Sequence, residues 1–107
     1  MNSELDADRA ALDEVVTAWP EVRAKQVFGH RGYVRSGYMF GFIADRGVAV
    51  RVIGDLDADE LLARDGAELF AFHGKPMKGW IVLPVDAKHG IDPVVGALRE
   101  AWEGVAH

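Results

Sequence analysis

Three segments of the chain place apolar residues at the three- and four-residue spacing of an amphipathic helix. The first carries Leu12, Val16 and Trp19 in this spacing, and Pro20 ends it because the residue before a proline avoids helical geometry. Each segment begins beside a side chain that can cap a helix. The predicted helices run from Ser3 to Trp19, from Asp57 to Arg64, and from Asp92–Pro93 to Gly104.

Between the first two helices the pattern changes to short apolar runs separated by glycine-containing turns, which is typical of β-hairpins. Connections of two and three residues between these runs force antiparallel neighbours. The runs predict a three-stranded meander over Lys25–Arg35, Tyr38–Ala44 and Val48–Ile53. After the second helix, two further strands are predicted at Glu68–His73 and Gly79–Pro84, joined by a loop over residues 74–78.

The predicted order of elements is αβββαββα. Strands grouped in this way, instead of alternating singly with helices, indicate an α+β fold with an antiparallel sheet and helices packed on it. The chain has 107 residues, of which 50% are hydrophobic, enough for one domain with its own core. We therefore expect a single domain over residues 1–107.

Charge is distributed unevenly along this plan. The whole chain has a net charge of -5, which disfavours nonspecific binding to nucleic acid or to an anionic membrane. Residues 23–54 nevertheless hold six basic residues and one acidic residue, a local net charge of +5, between two acidic segments. The basic meander predicts either a local anion-binding face or a set of bases neutralised by the acidic helices.

Candidate catalytic chemistry is sparse. The chain has no cysteine, and its histidines show no metal-ligand spacing, so no metal and no cofactor is predicted. Ser3 and Ser36 are the only serines, and neither lies in a nucleophile-elbow motif. Structural or solvent-exposed roles are the expectation for the histidines, and His30 is the candidate if one of them belongs to a small-ligand site. We predict no catalytic residue.

The strand that contains Trp80 is apolar on both faces. Trp80 and Val82 alternate with Ile81 and Leu83, so a second layer must cover each side of the sheet at this strand. A homodimer would supply that layer, and a monomer with helices on both faces is the alternative.

Two blocks of sequence, Val27–Tyr33 continued through Gly37–Phe40 and Lys75–Pro84, resemble the TfoX/Sxy N-terminal domain family. The resemblance covers residues 20–104 approximately, with Val27 and His30 standing where family members often have Met and Gly. The positions shared with the family, together with Trp80, form a structural motif of residue types that sheets use for packing and turning. They are Phe28, Gly29, Gly32, Phe40, Pro76, Met77, Gly79 and Trp80.

The resemblance implies an α+β fold and a regulatory role. Named members are regulators of bacterial competence in which this domain precedes a second one, whereas this chain ends at His107, which implies a stand-alone version. The resemblance implies no catalytic residue. The leading hypothesis is therefore a non-enzymatic, homodimeric regulatory or protein-interaction module. We expect it in the cytoplasm and not in a membrane, because the N-terminus is acidic and the apolar runs are short.

Two alternatives use the same candidate residues for anion or partner binding. The first is a nucleic-acid-associated protein that contacts phosphates through a local basic face. The second is a small-anion-binding protein or enzyme in which His30 acts with Arg31 and Lys78. The candidate residues are His30, Arg31, Arg35, Lys75 and Lys78.

Overall fold

The computed structural model describes residues 7–27, 29–44, 47–86 and 88–105. These residues form three helices and six strands. In chain order they are α1 (Ala7–Thr17), β1 (Val22–Val27), β2 (His30–Arg35), β3 (Tyr38–Ile43), β4 (Val48–Arg51), α2 (Ala58–Leu62), β5 (Glu68–Phe72), β6 (Lys75–Leu83) and α3 (Asp92–Gly104). None of the helices in these ranges is long and apolar enough to cross a bilayer.

The six strands form one antiparallel sheet in the order β1-β2-β3-β4-β6-β5. The α+β class is confirmed, and the order of elements agrees with the expected one except for an additional strand. Both edges of the sheet, β1 and β5, are formed by hairpin strands. The second hairpin joins the meander by pairing β6 with β4.

The additional strand arises because the run predicted as Lys25–Arg35 is two strands. Val27 pairs with His30, so the chain reverses between β1 and β2. Gly29 adopts a left-handed conformation (φ 81°), which glycine reaches without steric cost. The prediction of one strand was wrong because the apolar pattern continues across this turn. Phe28, a residue of the structural motif, lies outside the described residues.

The second hairpin is also tighter than predicted. His73 (φ 53°) and Gly74 (φ 80°) form a two-residue turn, and Phe72 pairs with Lys75. Two successive positive φ values are the signature of the type I′ turn, whose twist matches that of a hairpin. The predicted loop over residues 74–78 is therefore mostly strand, and Pro76 lies in β6 opposite Ala71 at the sheet edge.

The helix ends confirm one of the predicted caps. The Asp57 carboxylate accepts from the backbone N–H groups of Asp59 and Glu60, 2.9 and 3.4 Å away, and so caps α2. Asp92 is not a cap, because α3 follows Ile91 and Asp92 lies in the first turn of the helix. A carboxylate in this turn is stabilised by the positive end of the helix dipole. Ser3 lies outside the described residues, within which α1 begins at Ala7.

All three helices pack on one face of the sheet, which we call the helix face. The buried side chains of α1, α2 and α3 meet the inward-facing residues of the central strands in a single core. Its large members are Leu12, Val16, Tyr33, Phe40, Ile43, Val48, Val50, Leu61, Ile81, Leu83, Val94, Leu98 and Trp102. Phe40, another residue of the structural motif, is therefore a core residue.

A partly buried polar cluster attaches α1 to this core. The Asp13 carboxylate accepts from Arg31 Nε at 2.7 Å and from the Tyr33 hydroxyl at 2.7 Å. Tyr33 is fully buried, and burial together with the hydrogen bond to Asp13 raises its pKa well above the ordinary value of 10.0. The hydrogen bond to Asp13 likewise raises the pKa of Arg31. Asp13 therefore gives Tyr33 the partner that a buried hydroxyl needs.

Replacing Asp13 by alanine is expected to reduce the free energy of unfolding by about 2 kcal/mol, because the Tyr33 hydroxyl is left buried without its acceptor. Urea denaturation measures the loss. In a Tyr33→Phe background the same substitution removes no hydroxyl partner and should cost about half as much. An equal cost in both backgrounds would show that the hydrogen bond to Tyr33 contributes nothing.

Candidate binding pocket on the open face of the sheet

Among the helices of the described residues, none covers the second face of the sheet, which we call the open face. Alternation of side chains along each strand assigns residues to it. Phe42, Ala49 and Val82 are cross-strand neighbours on β3, β4 and β6, and they form a second, smaller buried cluster. Met39, Phe70 and Trp80 pack against this cluster. The strand that is apolar on both sides is thus covered by helices on one face and by aromatic side chains of its own sheet on the other.

The open face is concave. Adjacent strands lie about 4.8 Å apart, so β3 and β5, which are separated by two strands, would be about 14 Å apart in a flat sheet. The ring centroids of Phe42 on β3 and Phe70 on β5 are nevertheless 4.9 Å apart, in an edge-to-face contact. The small side chain of Ala49 between them allows this approach. The sheet therefore curls around its open face.

A pocket of about 110 Å³ lies in this concavity. Six of its seven lining side chains are aromatic rings or thioethers, and the seventh is His30, whose ring centroid is 5.6 Å from that of Phe42. The lining residues are His30, Met39, Phe42, Phe70, Phe72, Met77 and Trp80. Met77 has 41% of its surface exposed, so the pocket is open to solvent on its side.

The pocket brings together the two sequence blocks that carry the resemblance. His30 and Met39 come from the first block, and Met77 and Trp80 come from the second. The backbone between Met77 and Trp80 bulges away from β5, since Ala71 pairs with Pro76 but Leu69 pairs with Ile81. Gly79 (φ 90°) makes this bulge possible, and its carbonyl accepts from the Val52 N–H at 2.7 Å.

Gly32 lies beside the pocket. A side-chain carbon at this position would approach the Met39 sulfur to 3.1 Å and Phe42 Cβ to 3.5 Å. The absence of a side chain on Gly32 therefore leaves room for Met39 and Phe42 to turn toward the concavity. Apart from Phe28, which is not described, the structural motif thus contributes residues to the core, to the turns and to the pocket.

A second depression continues from the pocket along β5. Its volume is about 240 Å³, and it shares His30 and Phe70 with the pocket. Its other lining residues include Glu68, Ala71 and Val82. The pocket and this depression together form a groove between β5 and the opposite rim of the concave sheet.

The basic residues predicted for anion binding are divided by the fold. Arg31 and Arg35 point to the helix face, where each is engaged: Arg31 binds Asp13, and Arg35 Nε lies 3.0 Å from Glu21 Oε1. Arg35 also stacks on the ring of Trp102, with its guanidinium carbon 3.8 Å from the ring centroid. These two arginines therefore hold helices and loops on the helix face, apart from the other residues predicted for anion binding.

His30 faces the pocket instead, and does not lie with Arg31 as the small-anion hypothesis required. Lys75 and Lys78 are exposed on β6. Lys75 pairs directly with Phe72, and paired side chains lie on one face, so Lys75 flanks the pocket on the open face. The fold thus brings His30 and Lys75 to one surface and removes Arg31 and Arg35 from it.

Sequence reasoning missed four of the pocket residues, Met39, Phe42, Phe70 and Phe72, as a binding group. A signal was available in Glu68–Phe72, where Phe70 and Phe72 alternate with smaller residues and so must share a face. The approach of these two rings to Phe42 could not be predicted from the sequence, because it depends on the curvature of the sheet.

A further titratable cluster lies away from the pocket. The ring nitrogens of His89 are each 2.8 Å from a carboxylate oxygen, one of Asp86 and one of Asp65. These carboxylates raise the pKa of His89, and His89 lowers the pKa of both aspartates. The cluster ties the loop before α3 to the turn after α2. Within the described ranges, no group of three or more acidic or histidine side chains is placed to hold a metal ion.

Comparisons of the chain with protein-family models, with curated proteins and with solved structures find no match in any of the three.

Proposed function

We propose that this protein is a non-enzymatic interaction module whose open-face pocket receives an apolar side chain of a protein partner. The observation that carries the proposal is the pocket itself: aromatic rings and thioethers around an opening to solvent, on the face of the sheet opposite the three helices that the structure describes. An apolar concavity that meets water is the usual form of a site that buries an apolar group.

The size of the pocket favours a single side chain. Its volume of about 110 Å³ is below the roughly 300–1,000 Å³ of pockets that enclose drug-sized ligands. A cavity of roughly 150 Å³ lined by apolar side chains binds benzene, so the pocket suits a smaller group such as the side chain of leucine. The adjoining depression along β5 gives room for the backbone on either side of that residue.

The chemistry of the walls also favours recognition over catalysis. Met39 and Met77 supply flexible, polarisable side chains of the kind that adaptable protein-binding surfaces use. The resemblance of the two converging blocks to the TfoX/Sxy N-terminal domain supports a regulatory role for the interaction.

Replacing Met77 by glutamine tests the proposal, because glutamine keeps the length of the side chain and removes its apolar character. The probe is a capped neutral pentapeptide, acetyl-Gly-Ser-Leu-Ser-Gly-amide, titrated into the protein and followed by NMR chemical shifts. We expect saturable binding that becomes about five-fold weaker in Met77→Gln, as the loss of about 1 kcal/mol of apolar contact requires.

The matched control is Val15→Gln on α1. Val15 is exposed to 39%, nearly the same fraction as Met77, but it lies on the helix side of the molecule. Its substitution should leave peptide binding unchanged. Equal weakening in both variants, or no saturable binding to the unmodified protein, would contradict the proposal.

A further inference from the structure

Several cations lie on the open face together with the pocket, and the strand register identifies three of them beside pocket residues. Arg51 pairs with Trp80, and Lys75 pairs with Phe72, so each shares a face with a pocket residue. Lys25 pairs with Gly32, beside Met39 and Phe42. Each cation therefore approaches the pocket from a different strand.

These cations are unlike the arginines of the helix face. Arg31 and Arg35 are paired with carboxylates, whereas Lys25, Arg51 and Lys75 make no ion pair within the described part of the chain. Glu68, opposite Val82, is a carboxylate on the same face and lines the adjoining depression. Among the described residues of the open face, cations therefore outnumber carboxylates near the pocket, although the chain as a whole has a net charge of -5.

From this arrangement we infer that the partner presents an acidic segment: an apolar residue that enters the pocket, with aspartate or glutamate on both sides of it. The inference rests on the proposed function and adds the chemistry of the partner. Carboxylates on either side of the inserted residue would meet Lys25, Arg51 and Lys75. Such rim charges give selectivity and faster association, and a basic segment is repelled.

A peptide fits these observations better than a single-stranded nucleic acid does. A nucleobase is recognised by hydrogen bonds to its edges or by stacking on an exposed ring. The pocket rings instead pack against one another, Phe42 against Phe70 and Trp80, and Phe42 is only 8% exposed. Among the side chains that line the pocket, the His30 ring and the indole N–H of Trp80 are the groups that could form a hydrogen bond with a base edge.

The experiment compares three capped pentapeptides with leucine at the centre and serine, glutamate or lysine at the other four positions. Binding is measured from the NMR shifts of the Met39 and Met77 methyl groups at low and at high salt. We expect the glutamate peptide to bind about ten-fold more tightly than the serine peptide at low salt, and the lysine peptide to bind most weakly. The preference should largely disappear at about 1 M salt, where charges are screened beyond about 3 Å.

Three variants remove one charge each: Lys25→Gln, Arg51→Gln and Lys75→Gln. Each should weaken binding of the glutamate peptide about two- to five-fold, which is the usual contribution of one exposed charge pair, and should leave binding of the serine peptide unchanged. Lys88→Gln is the control, since Lys88 lies 3.3 Å from Asp65, away from the pocket. Equal affinity for the three peptides would overturn the inference and leave the proposed function standing. If no peptide shifts the two methyl groups, both fail. If an oligothymidylate of eight nucleotides binds more tightly than the glutamate peptide, the open face binds nucleic acid and the inference is overturned.

Discussion

Replacing Trp102 by alanine is expected to reduce the free energy of unfolding by about 3–5 kcal/mol, the usual cost of removing a buried tryptophan. Trp102 is 8% exposed in the core between α3 and the sheet. Its ring lies between Arg35 and Arg99, whose guanidinium carbons are 3.8 and 4.4 Å from the ring centroid, and beside Trp19 at 5.9 Å. The loss is a large share of the stability of a domain this size.

A second substitution at this position separates packing from hydrogen bonding. The Trp102 indole N–H donates to the Pro20 carbonyl at 3.0 Å and so holds the chain after α1 against α3. Trp102→Phe keeps an aromatic ring but loses this donor, and we expect it to cost about half as much as Trp102→Ala. Chemical denaturation measures both. A loss below about 1 kcal/mol for the alanine variant would show that α3 is not held by this residue.

Replacing Gly47 by alanine is expected to cost about 3 kcal/mol or more, because the added carbon would overlap the backbone carbonyl of Leu83 on β6. Backbone atoms of a central strand cannot move aside as a flexible side chain can. Gly47 also holds the turn before β4, since its carbonyl accepts from the Ala44 N–H at 2.8 Å. The strain would therefore separate β4 from β6 at the centre of the sheet.

Replacing Gly96 by alanine is expected to change stability in the opposite direction. Gly96 lies within α3, and an added carbon there meets no atom within 4 Å. Alanine at this helix position should increase stability by about 0.5–1 kcal/mol, because glycine loses more backbone entropy on folding. Thermal or chemical denaturation of the two variants should therefore give shifts of opposite sign. A stable Gly47→Ala variant would contradict the close approach of β4 and β6.

The α+β class was predictable because it depends on local signals. The helical spacing around Leu12 and Val16, the cap at Asp57 and the short turns of the meander each report on a few neighbouring residues. The errors occurred where apolar residues continue through a turn, at Gly29 and at His73–Gly74. There the chain reverses through left-handed backbone conformations, which the apolar pattern does not record.

The pocket was only partly predictable. Its members from the two blocks, among them Met77 and Trp80, include residues of the structural motif, and Lys75 was a candidate binding residue. The contact of Phe42 with Phe70 depends on the curvature of the sheet, which no local pattern carries. The basic residues of the meander were expected either to form one anion-binding face or to be neutralised by acidic residues, and the structure divides them between two faces. Arg31 and Arg35 are neutralised by acids on the helix face, whereas Lys25 and Arg51 lie on the open face.

The proposed function requires that an apolar side chain enters the pocket on the open face. The most direct measurement is an NMR search for nuclear Overhauser effects between the leucine methyl groups of the bound pentapeptide and the ring protons of Phe42, Phe70 and Trp80. If leucine enters the pocket, its methyl groups should contact all three rings together with the methyl groups of Met39 and Met77. Contacts confined to α1 or to the outer edge of β1, with none to these rings, would contradict it.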